Sequence, residues 1–197
     1  MCGITGAIIK QKGDTYWKLL EASEIRGQDG TGISIKSFDI DLPLIGRSEL
    51  KASEAKFRNE LNEGDIVIGQ NRLAIFGLDH RNDQPLVTKD YSLVHNGNLV
   101  GFEELFKRLD LKREYEVDTE LLLRIIEGLG VERGVRYIED NVKGNFACLV
   151  IDHKANKLSG FRRFKPLFEY EDETGIYFFS TERIGEKVFG KQTFKSL

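Results

Sequence analysis

Cys2 is the residue whose position most clearly points to chemistry. Initiator methionine is generally removed when the next side chain is small, and Cys qualifies. One residue would then carry a thiol, with a reference pKa of about 8.5, and an α-amine, with one of about 7.7–8.0. Such an amine is substantially neutral near neutral pH and can take the thiol proton, directly or through a water. A nucleophile with its general base built in is a known arrangement for acyl transfer. The plainer reading is a small apolar residue at the start of a strand. Asn96 and Gly97, in HNGN, offer a side-chain amide and a backbone N–H for an oxygen that becomes negative in a tetrahedral intermediate. The same dipeptide is also a strong hairpin signal.

Other candidates carry less. His95 adjoins the Asn-Gly pair, but an α-amine base makes an imidazole unnecessary, so His95 reads as structural. His80 and His153 have no ligand spacing to Cys148, which reads as a core residue, and no metal site is expected. Arg26 and Gly27 open RGQDGTG, where Gly27, Gly30 and Gly32 permit close backbone approach. No G-x-x-x-x-G-K-[ST] is present, which argues against a phosphate cradle. No cofactor is expected.

Elements must hold these residues in place. Residues 2–9, 32–38, 65–73 and 91–95 read as strands, the last ending where HNGN begins. Asp14 opens an amphipathic helix to about residue 25, with Trp17, Leu20 and Ile25 on or near one face. Residues 49–62 read as a charged surface helix, and 102–109, 119–129 and 131–141 as further helices. Strands return at 145–152, 157–162 and 176–180. This order favours α+β with antiparallel sheets.

The chain has 197 residues, enough for one well-packed domain over 1–197. Its 29 basic and 32 acidic residues give a net charge of −3, with no electrostatic footprint for nucleic acid. No apolar run approaches the roughly 20 residues needed to cross a bilayer, so no membrane association is expected. Two cysteines make no disulfide framework, and the cytoplasm is the expected compartment.

Seven segments stand in order along the chain: MCGITG, RGQDGTG, NRLAIFG, QPL, LVHNGNL, DTELLL and GNFACLV. The series resembles the glutaminase domain of the class II glutamine amidotransferases, a branch of the N-terminal-nucleophile hydrolases. Within that group it looks most like glutamine phosphoribosylpyrophosphate amidotransferase. The resemblance implies a four-layer αββα sandwich and hydrolysis of L-glutamine to L-glutamate and ammonia through a Cys2 thioester. The ammonia would pass to a separate synthetase or transferase partner. It places the oxyanion hole on Asn96 and Gly97, and the pocket for the amine of residue 2 beside Arg26 and Gly27.

Glutamine bears an α-carboxylate and an α-ammonium. Arg72 suits the first, with a bidentate geometry that Lys would not match, and Asp118 suits the second. The resemblance assigns those same roles. Surface ion pairing for Arg72 and a helix N-cap for Asp118, ahead of Leu121, Leu122, Ile125 and Ile126, are the alternatives. Departures are visible too. The stretch after Arg72 lacks a Thr-His pair used by the sugar-phosphate branch, RRFKPL is a shortened loop, and residues 184–197 carry no family feature. An N-terminal-nucleophile amidohydrolase acting on another amide, or a non-catalytic glutamine-binding or regulatory module, remains as an alternative.

Overall fold

Period-two alternation along the strands sorts their side chains onto opposite faces, and that sorting builds the molecule. The computed structural model describes residues 2–56, 58–73 and 79–197. Its strands are β1 (Gly3–Ile9), β2 (Gly30–Lys36), β3 (Leu44–Ser48), β4 (Ile66–Arg72), β5 (Leu86–Val87), β6 (Tyr91–Val100), β7 (Lys143–Asp152), β8 (Lys157–Arg163), β9 (Phe168–Glu171), β10 (Gly175–Phe179) and β11 (Lys195–Ser196). One sheet runs β11-β9-β10-β1-β4-β2-β3 and the other β5-β6-β7-β8. All their pairings are antiparallel. The helices are α1 (Thr15–Ala22), α2 (Phe102–Arg108), α3 (Thr119–Leu129), α4 (Val131–Asn141) and α5 (Glu182–Phe189).

Three apolar clusters mark the spaces between layers. Ala7, Ile33, Ile35 and Val67 face outward from the larger sheet onto Trp17, Leu19 and Leu20 of α1 and Ile184 of α5. Leu93, Phe146, Cys148 and Val150 face outward from the smaller sheet onto Leu122, Ile125 and Ile126 of α3 and Ile138 of α4. Between the sheets lie Ile4, Ile66, Ile68, Val94, Ala147, Leu149 and Ile151. The result is the four-layer αββα sandwich that the family resemblance implied.

Three expectations need correction. First, residues 49–62 form no helix among the described residues. Tertiary contacts take the polar groups instead: the Ser53 N–H donates to Glu24 Oε1, and the Asn59 carbonyl accepts from Trp17 Nε1 at 3.1 Å. Ala52 and Leu61 are buried in the same cluster as Trp17, which overrides local propensity. Second, α1 stops at Ala22 and tightens into a 3₁₀ turn over Ser23–Arg26, leaving Ile25 exposed. The Leu20 carbonyl is taken there by Asn71 Nδ2 at 2.6 Å and by Ser23 Oγ at 2.8 Å. Third, β6 does not end at His95 but continues to Val100, with Asn96 opposite Ala147 and Gly97 opposite Phe146. The Asn-Gly pair is therefore not a hairpin turn.

Residues 184–197, which carry no motif, contribute most of α5 and all of β11. Ile184 and Phe194 are buried in the outer cluster of the larger sheet.

Candidate active site

The inter-sheet layer opens at one end into a cavity of about 460 Å³. Alternation explains which residues reach it. On β4, Ile66 and Ile68 face the inter-sheet core, so Gln70 and Arg72 continue the same face; on β1, Ile4 is paired with Gln70, and Cys2 lies one step beyond. On β6, Val94 is followed on its face by Asn96, and on β7, Ala147 is preceded by Asn145. The core is apolar at its centre and polar at this mouth. Cys2, Arg72, Asn96, Gly97 and Asp118 all line the cavity. Residues far apart in sequence are thus gathered into one wall.

Arg26 and Gly27 do not line it; they belong to an adjacent hollow that shares Leu73 with it. Arg26 Nε donates to the Cys2 carbonyl at 3.4 Å. A Cβ on Gly27 would lie 2.4 Å from the Arg72 carbonyl, so only glycine permits this approach. The RGQDGTG loop is thus packed behind Cys2 and Arg72. Met1, and residues 74–77 where the Thr-His departure falls, lie outside the described residues.

Cys2 is partly buried, and its Sγ accepts from the Leu73 N–H at 3.5 Å. Burial pushes the thiol pKa up, against the Leu73 contact and the Arg72 and Arg26 charges that pull it down. A thiol in this state is protonated near neutrality and needs a base. Arg72 is buried and ion-pairs with buried Asp83. Asp118 sits at the N-cap position of α3, but its carboxylate makes no cap hydrogen bond; Oδ2 accepts from the Leu99 N–H of β6 at 2.7 Å. Burial alone would raise the Asp118 carboxyl, yet His95 and the Leu99 N–H hold it below its usual value, so it is anionic across the neutral range.

The most telling feature is what lacks a partner. Both polar side-chain atoms of Asn96, Oε1 of Gln70 and Nε2 of His95 are buried and make no hydrogen bond. All three residues line the cavity. Buried polar groups are nearly always satisfied, so a cluster of orphans around a cavity is the signature of groups kept for a ligand. Gly97 adds a steric requirement: a Cβ there would come within 2.1 Å of the Asn145 carbonyl and 2.7 Å of His95 Nε2.

Sequence reasoning missed the residues that hold this arrangement. Gln84 Nε2 donates to Thr119 Oγ1 at 2.8 Å, and its Oε1 accepts from the His95 N–H at 2.6 Å. Gln70 Nε2 donates to the His95 carbonyl at 2.7 Å, and His95 Nδ1 lies 3.0 Å from Thr119 Oγ1. His95 is thereby fixed on backbone and ring, with its Nε2 left unpartnered. Asn82 Nδ2 donates to Glu116 Oε2 at 3.0 Å, and its Oδ1 accepts from the Glu116 N–H at 2.9 Å. The run of Asn82, Asp83 and Gln84 before Pro85 was the available signal: three polar residues entering a buried strand.

Among the described residues no cluster of His, Cys, Asp and Glu could hold a metal, and no helix is long and apolar enough to cross a membrane.

The model of the glutamine amidotransferase domain family matches residues 49–190. Glutamine–fructose-6-phosphate aminotransferase (isomerizing) of Bartonella henselae is 31% identical over 161 residues, covering 77% of this chain and 26% of that protein. The 7-cyano-7-deazaguanine synthase 2 of Sulfurisphaera tokodaii is 26% identical over 92% of this chain and 43% of its own. Among solved structures, B. subtilis glutamine phosphoribosylpyrophosphate amidotransferase complexed with ADP and GMP superposes with a TM-score of 0.79 at 21% identity. That match covers 100% of this chain and 44% of the other, and it shows the fold. The chain thus spans less than half the length of these relatives. It belongs to the class II glutamine amidotransferase family.

Proposed function

We propose that residues 1–197 form one glutaminase domain that hydrolyses L-glutamine to L-glutamate and ammonia. The observation that carries the reading is a single cavity holding a cysteine thiol, an unpartnered buried Asn96 amide, and Arg72 and Asp118 as opposite charges. Free glutamine carries the complementary groups: a carboxylate for Arg72, an ammonium for Asp118 and a side-chain amide for Cys2.

The chemistry follows from those placements. With Met1 removed, the α-amine of Cys2 takes the thiol proton and Sγ attacks the amide carbon. The carbonyl oxygen becomes an oxyanion, which the Asn96 side-chain amide and the Gly97 N–H stabilise. Collapse breaks the C–N bond, and the leaving nitrogen takes the proton from the α-ammonium and departs as ammonia. Water then adds to the thioester through a second oxyanion on the same donors, releasing glutamate and restoring the thiol. Arg26 holds the Cys2 carbonyl while this happens, and Gly27 lets its loop pack against the backbone of Arg72.

The ammonia passes to a synthetase or transferase domain or subunit. Cys2 and Cys148 are both unpaired, which agrees with a reducing compartment, the cytoplasm. The test is ammonia release from L-glutamine by wild type and Cys2→Ala, with other side-chain amides alongside. Turnover of L-glutamine, lost in Cys2→Ala with an unchanged melting curve, is expected. Inert glutamine with cleavage of another amide would overturn the substrate assignment.

A further inference from the structure

Asp83 is a buried charge beside the site that the chemistry above leaves without a task. Its side chain is 3% exposed and that of Arg72 8%. Asp83 is not among the residues that line the cavity. It stands behind Arg72, with Oδ1 ion-paired to Arg72 Nη1, and its Oδ2 lies 3.3 Å from where a Cβ on Gly30 would sit. Its two neighbours are fastened to other walls of the site. Asn82 grips Glu116 through both ends of its amide, and Gln84 grips Thr119 and the His95 N–H. Asp83 is therefore held from both sides of its own backbone and cannot follow Arg72 if that side chain swings.

We propose that Asp83 is a positioning residue that locks the Arg72 guanidinium in the orientation that receives the substrate α-carboxylate, and so sets the preference for substrates carrying one. The inference rests on the glutamine reading given above. An arginine side chain loses much rotamer freedom when pinned, and pinning it before substrate arrives removes that cost from binding. A guanidinium has five N–H donors in a rigid fork, more than one carboxylate can use, so pairing with Asp83 is compatible with pairing to substrate.

The test compares L-glutamine with its α-amide, which keeps the reacting side-chain amide but is neutral at the first carbon. Asp83→Ala should lower kcat/KM for L-glutamine at least about tenfold, mainly through KM, while the α-amide changes by less than about twofold. Asp83→Asn keeps an oxygen acceptor and should fall between the two; it also serves if Asp83→Ala does not fold. Equal losses on both substrates, or no loss on either, would overturn the proposal. Calorimetric binding of the same two compounds to Cys2→Ala protein, with Asp83 present or replaced by Asn, measures the ratio without turnover. A wild type inert towards glutamine sinks the hydrolysis reading alone; Cys2→Ala protein that binds no L-glutamine overturns the Asp83 proposal as well.

Discussion

The space between the two sheets holds a polar cluster at each end, and the two are built on opposite rules. At the end away from the cavity, Ser34 Oγ of β2 and Ser92 Oγ of β6 are 2.8 Å apart. Ser92 Oγ lies 2.8 Å from His153 Nε2, and His153 Nδ1 lies 3.0 Å from the Lys89 carbonyl. Nδ1 must therefore donate, which leaves Nε2 to accept from Ser92, and Ser92 to accept from Ser34. Each side-chain polar atom of Ser34, Ser92 and His153 in this relay has its partner. At the cavity end, four residues further along the same face of β6, both polar atoms of Asn96 have none. The lesson is that polarity in a core does not mark function; unsatisfied polarity beside a cavity does.

Substitutions should separate the two ends cleanly. The largest effect is at Cys2, where alanine should remove glutaminase turnover altogether while thermal melting stays put. Asn96→Ala should lower kcat by about 10²–10³, the usual consequence of deleting one oxyanion donor. Because the Asn96 side chain makes no hydrogen bond in the free protein, its melting temperature should hold or rise. Asp118→Asn should raise KM for L-glutamine roughly 10- to 100-fold, the worth of a charge-assisted hydrogen bond. The Leu99 N–H contact can persist through the retained oxygen. At the other end the sign reverses. Ser92→Ala should cost about 1–3 kcal/mol in denaturant unfolding by stranding Ser34 and His153, with kcat unchanged.

The smallest effect is one of pH. Burial, with Lys36 adding to it, lowers the pKa of His153, so the folded state favours its neutral form. The unfolded chain takes up the proton at about pH 6.5. The stabilisation is therefore fully present above about 6.5 and drains away as pH falls below it towards the folded-state value. His153→Gln should flatten that part of the stability profile. A profile unchanged by the substitution would show that this relay carries no pH dependence.

How much of this was written in the sequence differs between fold and site. Strands and helices with strong periodicity were legible: α3 and α4 occupy 119–129 and 131–141 as their apolar spacing requires. Residues 49–62 were not, because their alanines and charges suit a helix alone and only packing against α1 draws them into an irregular path. Cys2, Arg72, Asn96 and Asp118 could be named from the chemistry of their side chains and from the family resemblance, and Gly97 from its backbone N–H beside Asn96. Their supports could not. Gln84 and Gln70 act by fixing the backbone of His95 across sheets, a relation that appears only once β4, β6 and the segment before β5 are brought together. Asp83 escaped for the same reason, since nothing in NDQPL says that Arg72 lies against it.

Turnover depends most on the sulfur of Cys2 and the amine of the same residue acting as one unit. Acid-quenched mass spectrometry of the N-terminal peptide, taken during steady turnover of L-glutamine, tests this directly. The predicted result is a peptide that starts at Cys2 and carries a γ-glutamyl group on its sulfur. Full glutaminase activity in a preparation whose N-terminal peptide still begins with Met1 would contradict it.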